Sequence, residues 1–195
     1  MVGVDPSEAL LAKAAELDRA AGVRVAYRVA TAEDTGLPDE SADLVTAGQC
    51  WHWFDADPAA AEVLRVLRPG GAVVIAHFDW IPLEGNVVAA TEDLILAHNP
   101  SWSLGGGTGL YPRWLTDLAR AGFRDIRTFS FDVAVAYTHE GWVGRIRASA
   151  GVGASLPPEQ VERFSEELHA LLAGRGEPDP LTVPHRVWAV AATKP

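Results

Sequence analysis

Three short stretches of the chain carry side chains able to do chemistry: Val4-Asp5-Pro6-Ser7, Thr31-Ala32-Glu33-Asp34 and Gln49-Cys50-Trp51-His52-Trp53-Phe54. Asp5 follows an apolar run and precedes a helix-forming segment. A carboxylate in that place can accept both hydroxyls of a ribose, and it can equally be a plain helix cap. Thr31–Asp34 offers backbone N–H groups and side-chain oxygens that can read the edge of an adenine, or it is a solvated acidic loop. His52, an imidazole with an ordinary pKa of ~6.5, can take a proton from an acceptor hydroxyl or simply wall a pocket. Trp51 and Trp53 flank it and can face a cation through their rings or pack into a core.

Other residues invite a reading that their surroundings do not support. Gly105-Gly106-Gly107-Thr108-Gly109 has the composition of a phosphate loop, but such a cradle needs a strand before it and a helix immediately after. Asn99-Pro100-Ser101-Trp102-Ser103 precedes it, so a mobile substrate-side loop or lid is expected instead. His77 with Asp79, and His98, His139, His169 and His185, lack metal-ligand spacing, and no metal is expected. The net charge of −10 disfavours nucleic acid as a partner, because binding there rests on Lys and Arg releasing counterions. A single cysteine, Cys50, suits a reducing compartment. The longest apolar runs, Ala72 to Ala76 and Val187 to Ala192, fall far short of the ~20 residues of a membrane helix. A cytoplasmic protein without a membrane partner is expected.

The elements that must position these residues follow from patterning. Asp5 or Ser7 caps a helix from about Ser7 to Ala20 that stops at Gly22. Val23 to Val29 alternates as a strand, and Ala42 to Ala47 is a short apolar one. A helix beginning at Asp57-Pro58 carries Ala61, Leu64, Val66 and Leu67 to Arg68, and Pro69-Gly70-Gly71 reads as a tight turn into the strand Ala72 to Ala76. Further helices are expected at Val87 to Ala97, Pro112 to Ala121, Glu140 to Ala148 and Pro158 to Ala173, with β stretches at Asp125 to Ala136 and Arg186 to Ala192. The alternation predicts one α/β domain over residues 1–195, a Rossmann-like doubly wound, mostly parallel sheet with an antiparallel edge pair. Ligands of such sheets sit at the carboxyl ends of the strands, which selects four loops: Asp5–Ser7, Thr31–Asp34, Gln49–Phe54 and His77–Trp80.

The order Ser41-Ala42-Asp43-Leu44-Val45, Gln49-Cys50-Trp51-His52-Trp53-Phe54 and Val63-Leu64-Arg65-Val66-Leu67-Arg68-Pro69-Gly70-Gly71 resembles class I S-adenosylmethionine-dependent methyltransferases of the small-molecule type. The Gln-x-x-His-Trp-Phe version is similar to a branch related to trans-aconitate methyltransferases. The resemblance runs from Val2 to about Ile75 and returns at Ala121-Gly122-Phe123. It implies S-adenosylmethionine as cofactor and a small-molecule methyl acceptor. It also implies Asp5 with Pro6 at the ribose, Thr31, Ala32 and Glu33 at the adenine, and Gln49 beside the methionine portion. Trp51 and Trp53 would lie at the acceptor, with His52 as the candidate base. Many relatives carry an acid where Thr31 stands, so that contact is weaker here.

The family's usual first strand and its glycine-rich loop have no counterpart in the sequence, because Met1 stands where the second strand should be ending. A sheet with that gap exposes two backbone edges. Either upstream sequence fills it, or a second copy does by strand exchange, so a homodimer is an expected partner. Two rival readings follow: a truncated, non-catalytic methyltransferase-like domain with lost cofactor binding, and a nicotinamide-dependent oxidoreductase that shares the ribose-binding acid.

Overall fold

The computed structural model describes residues 1–195. In chain order the elements are β1 (Val2–Asp5), α1 (Glu8–Ala21), β2 (Ala26–Val29), β3 (Ala42–Gly48), a 3-10 turn (Trp51–Trp53), α2 (Ala56–Val66), β4 (Leu67–Trp80), α3 (Val87–His98), α4 (Pro112–Ala121), β5 (Arg124–Tyr137), α5 (His139–Arg147), α6 (Pro158–Gly174) and β6 (Leu181–Thr193). The strands form a two-stranded sheet, β1-β2, and a four-stranded sheet ordered β3-β4-β6-β5. Both β1 with β2 and β3 with β4 run parallel. Along β4 the partners in β6 fall from Lys194 at Gly70 to Pro184 at Ile81, so β6 is antiparallel. The architecture is the expected α/β one, and β1 and β3 are not hydrogen-bonded to each other. No helix is long and apolar enough to cross a membrane.

Contacts divide the chain into two compact units. The first comprises Met1–Ala76, Tyr111–Phe129 and Ala189–Pro195. Its helix α1 starts where the Ser7 hydroxyl accepts from the Leu10 N–H at 3.3 Å and ends at Gly22, whose φ of 69° suits a residue without Cβ. Tyr27 of β2 donates to Asp18 of α1 at 2.7 Å. Gly3 makes room for that ring, since a Cβ there would lie 2.7 Å from it. The core of the unit gathers Trp51, Ala59, Ala60, Val63, Val66, Leu67, Val73, Ile75, Leu118 and Phe123.

The second unit comprises His77–Leu110 and Ser130–Trp188. Its core is built from Val88 and Ile95 of α3, Trp142, Val143 and Ile146 of α5, Phe164, Leu168 and Leu172 of α6, and Leu181 and Val183 of β6.

Three sequence expectations are corrected. Pro69-Gly70-Gly71 is no turn: β4 begins at Leu67 and absorbs these residues as an irregularity, with Ala42 opposite Leu67 but Leu44 opposite Ala72. Proline and glycine mark bulges as readily as turns. The end of β6 holds the stretch, with Gly70 N–H on the Lys194 carbonyl at 3.0 Å and Lys194 N–H on Gly71 at 2.8 Å. His77–Trp80 is strand rather than loop, and β6 begins at Leu181 rather than Arg186. Pro184 offers no N–H, yet its carbonyl accepts from Ile81 at 2.9 Å and extends the ladder.

A charged network braces the loop between β2 and β3. The buried Glu62 carboxylate accepts from Thr35 N–H at 2.9 Å and Thr35 Oγ1 at 2.5 Å, and from Arg65 Nε at 2.7 Å and Nη2 at 2.8 Å. Arg65 also pairs with Asp39 and donates to the Leu37 carbonyl. The Arg65 hydrogen bond, offset in part by burial and helped by Thr35, holds the Glu62 carboxyl at about 2. A folded-state pKa below the ordinary 4.5 contributes stability that is present above pH 4.5 and lost as pH falls towards 2. Urea midpoints of the wild-type chain are therefore expected to fall on acidification through that window. Those of Glu62→Gln are expected to start lower and change less; parallel pH curves for the two would refute this role.

Candidate functional site

In the first unit the candidate residues meet at strand ends. Asp5 closes β1 directly opposite Val29 of β2, and the Ala30 N–H bonds to the Asp5 carbonyl at 3.3 Å. The chain leaving β2 thus passes beside Asp5 before it reaches Thr31, Ala32 and Glu33. The Asp5 carboxylate accepts from Ser7 N–H at 2.8 Å through Oδ1. It forms no ion pair, and Oδ2 has no protein donor. One carboxylate oxygen thus holds the turn into α1, whose cap is Ser7. Pro6, exposed, makes that turn.

Glu33 is tied down. Its carboxylate accepts from the Asp55 N–H at 3.0 Å and from the Thr31 hydroxyl. Burial pushes its carboxyl up, but these bonds and one from its own backbone outweigh that and hold it below the usual glutamate value. Thr31 and Glu33 thus fix the Thr31–Glu33 loop against the start of α2, and half-buried Ala32 lies between them.

The third stretch follows β3. Gln49 sits in left-handed backbone, φ 59°, a conformation costly for a residue with a side chain. Its N–H bonds to the Ala76 carbonyl at 2.9 Å, which holds the bend. Burial pushes the Cys50 thiol pKa up, and the negative charge of Asp5 adds to it, so the exits of β1 and β3 lie within electrostatic reach of each other.

In the 3-10 turn the three aromatic residues part company. Trp51 is 2% exposed and meets Phe54 edge-on at 5.6 Å. Its ring belongs to the core of the unit, not to an open wall. Trp53 is 62% exposed and its ring lies 4.5 Å from that of half-buried His52. Of the two tryptophans expected at the acceptor, only Trp53 is presented at the surface. The alternation of Trp-His-Trp did not reveal this, because a 3-10 turn throws successive side chains about 120° apart.

The glycine-rich loop lies in the second unit and is neither a cradle nor free. The Gly106 N–H donates to the buried Glu92 carboxylate at 2.7 Å, so an anion already occupies an amide a phosphate would need. Arg186, paired with Asp132, donates to the Thr108 carbonyl at 2.9 Å. The Trp102 ring covers Gly105 so closely that a Cβ there would stand 2.8 Å from it. These contacts hold the loop at Gly106 and Thr108. Glu92 was the missed residue, and the signal for it was a carboxylate inside the apolar helix Val87–His98.

Residues 1–75 match a family described as a methyltransferase domain. The chain is 29% identical over 145 residues to an uncharacterised methyltransferase of Schizosaccharomyces pombe, covering 74% of this chain and 55% of the relative. It thus spans little more than half of that relative's length. Among solved structures, the YcgJ protein of Bacillus subtilis superposes with a TM-score of 0.60 at 19% identity, covering 99% of this chain and 81% of the other. A Haemonchus contortus phosphoethanolamine N-methyltransferase, solved with phosphomonomethylethanolamine and S-adenosylhomocysteine, gives 0.54 at 22% identity, covering 100% and 43%. The fold is the Rossmann-like α/β fold that these solved structures share.

Proposed function

We propose that the chain is the greater part of an S-adenosylmethionine-dependent methyltransferase acting on a small molecule. The observation that carries the reading is the uncommitted carboxylate oxygen of Asp5, at a strand end adjoining the ordered Thr31–Glu33 loop. An acceptor of that kind beside a small, half-buried alanine suits a ribose next to an adenine. The second carboxylate, Glu33, serves by holding the loop.

The bound cofactor supplies an electrophilic methyl group on a sulfonium. The chain's own contribution is placement: Asp5 accepts from the ribose hydroxyls, Ala32 borders the adenine, and Gln49 lies towards the methionine portion. Trp53 offers an aromatic face to the acceptor, and His52 beside it can receive a proton from an acceptor oxygen or nitrogen. Positioning and exclusion of water account for rate without a covalent intermediate. With a net charge of −10 and no basic stripe, the acceptor is neither nucleic acid nor a membrane surface.

The split between the sheet of β1-β2 and that of β3-β4-β6-β5 supports a further reading: an additional strand joins them and brings the glycine-rich loop for the methionine end. Either adjoining sequence or a second copy can provide it, the latter as a homodimer. Titrating S-adenosylmethionine by calorimetry into the 195-residue chain and into an N-terminally extended form is expected to give saturable binding that is tighter in the extended form. Binding by neither would remove the enzyme reading.

A further inference from the structure

We infer that Thr35 and Arg65 are positioning residues for the adenine end of the cofactor site proposed above, acting through the Thr31–Glu33 loop. The stretch from β2 to β3 has backbone bonds at its two ends. The Ala30 N–H meets the Asp5 carbonyl at 3.3 Å, and the N–H groups of Glu40 and Ser41 meet the carbonyls of Arg65 and Val66 at 3.0 and 2.9 Å. Between those ends the stretch lies along α2 and is held through side chains. Glu33 binds the Asp55 N–H at the start of α2. Thr35 binds Glu62 through its N–H and its hydroxyl. Arg65 takes the Leu37 carbonyl and pairs with Asp39. Position in the loop thus tracks position along the helix, from Asp55 to Arg65.

The polar groups of both residues are committed to the loop and its anchor. The Thr35 hydroxyl donates to Glu62 and accepts from the Leu37 N–H at 3.2 Å. Arg65 holds Glu62 through Nε and Nη2 while Nη2 also serves the Leu37 carbonyl and Nη1 meets Asp39. A lysine, with a single ammonium, cannot serve three partners in three directions as a guanidinium does. Glu62 is only 8% exposed, so water does not screen these bonds as it does in an exposed pair. Thr35 stands two residues after Glu33. The Asp55 and Glu62 anchors together therefore fix the segment that leads back to Thr31.

What these anchors preserve is a polarity as well as a place. The hydroxyl of exposed Thr31 donates to the Glu33 carboxylate, so its oxygen faces a ligand as an acceptor. An acceptor there suits the amino group of adenine and opposes the carbonyl of a 6-oxo purine. A loop that visits this arrangement for a fraction of the time binds with an affinity reduced by that fraction, so an occupancy of about one tenth costs about tenfold. Ribose recognition takes another route, since Asp5 is held by the turn into α1 and not by Thr35 or Arg65. The identity of the ligand rests on the methyltransferase reading.

The test titrates adenosine, inosine and 2′-deoxyadenosine into the 195-residue chain, followed by saturation-transfer NMR, with circular dichroism to show that each variant is folded. Wild type is expected to bind adenosine several-fold more tightly than either analogue. Thr35→Val and Arg65→Lys should weaken adenosine about tenfold and bring it level with inosine, while the penalty for 2′-deoxyadenosine stays that of wild type. Thr35→Ser, which keeps the hydroxyl, should recover most of the loss. If Arg65→Lys does not fold, the two Thr35 variants carry the test. Wild-type selectivity in folded Thr35→Val would overturn the inference, as would equal loss of base and ribose discrimination, or a wild type that takes inosine as readily as adenosine. In each of those cases the site itself stands. Failure of the wild-type chain to bind adenosine at all removes the site, and the inference with it.

Discussion

Replacing Asp5 by alanine is expected to weaken S-adenosylmethionine binding by about 100-fold or more. The arithmetic rests on two hydrogen bonds from ribose hydroxyls to a carboxylate, each worth about 1.5–3 kcal/mol because the acceptor is charged. Their loss together costs at least about 3 kcal/mol, and every 1.4 kcal/mol is about tenfold in affinity. Asp5 also accepts from Ser7 N–H, so alanine removes a turn bond worth about 0.5–2 kcal/mol of stability. Asparagine separates the two roles. Its carbonyl oxygen keeps the Ser7 bond and leaves the melting temperature nearly unchanged, while loss of charge weakens the cofactor about tenfold. Calorimetric titration and thermal melting, run on both variants in the form that binds cofactor, provide the check. If Asp5→Ala lowers stability but leaves affinity intact, the residue is a cap alone.

The second large effect is on stability. Trp142→Ala is expected to cost about 3–5 kcal/mol, the range for emptying the volume of a large aromatic from a packed core. Trp142 is fully buried in a cluster with Val88, Ile95, Phe164 and Leu168, and its ring also supports Trp80 and Tyr137. Such a loss is comparable with the whole stability of a marginal domain. Trp142→Phe fills most of the space and loses the Thr91 hydrogen bond, so it should cost only about 1–2 kcal/mol. Urea denaturation followed by circular dichroism measures both. A cost below about 1 kcal/mol for the alanine variant would mean that the neighbouring helices close over the gap.

Class and element order were legible in the chain because they depend on local pattern. The helices α1, α3 and α4 stand close to where capping residues and apolar spacing put them, since Ser7, Gly22, Pro112 and Gly122 act on their own backbone. Asp5 and Glu33 could be selected as strand-end residues for the same reason. That Glu33 is held in place could not, because it depends on Asp55, twenty-two residues downstream of Glu33. Nor could the extent of β4: Pro69-Gly70-Gly71 is punctuated like a turn, and only pairing with Lys194 at the far end of the chain keeps it in the sheet.

The sequence by itself determined the alternation of strand and helix, the acid after the first strand and the net negative charge. These follow from propensity, periodicity and charge, which neighbours in the chain share. Tertiary structure alone decided that Trp51 is core while Trp53 is surface, and that Glu92 tethers the glycine-rich loop. Burial and charge pairing are set between segments brought together by folding, and the energy of a buried group depends on partners that no local spacing specifies.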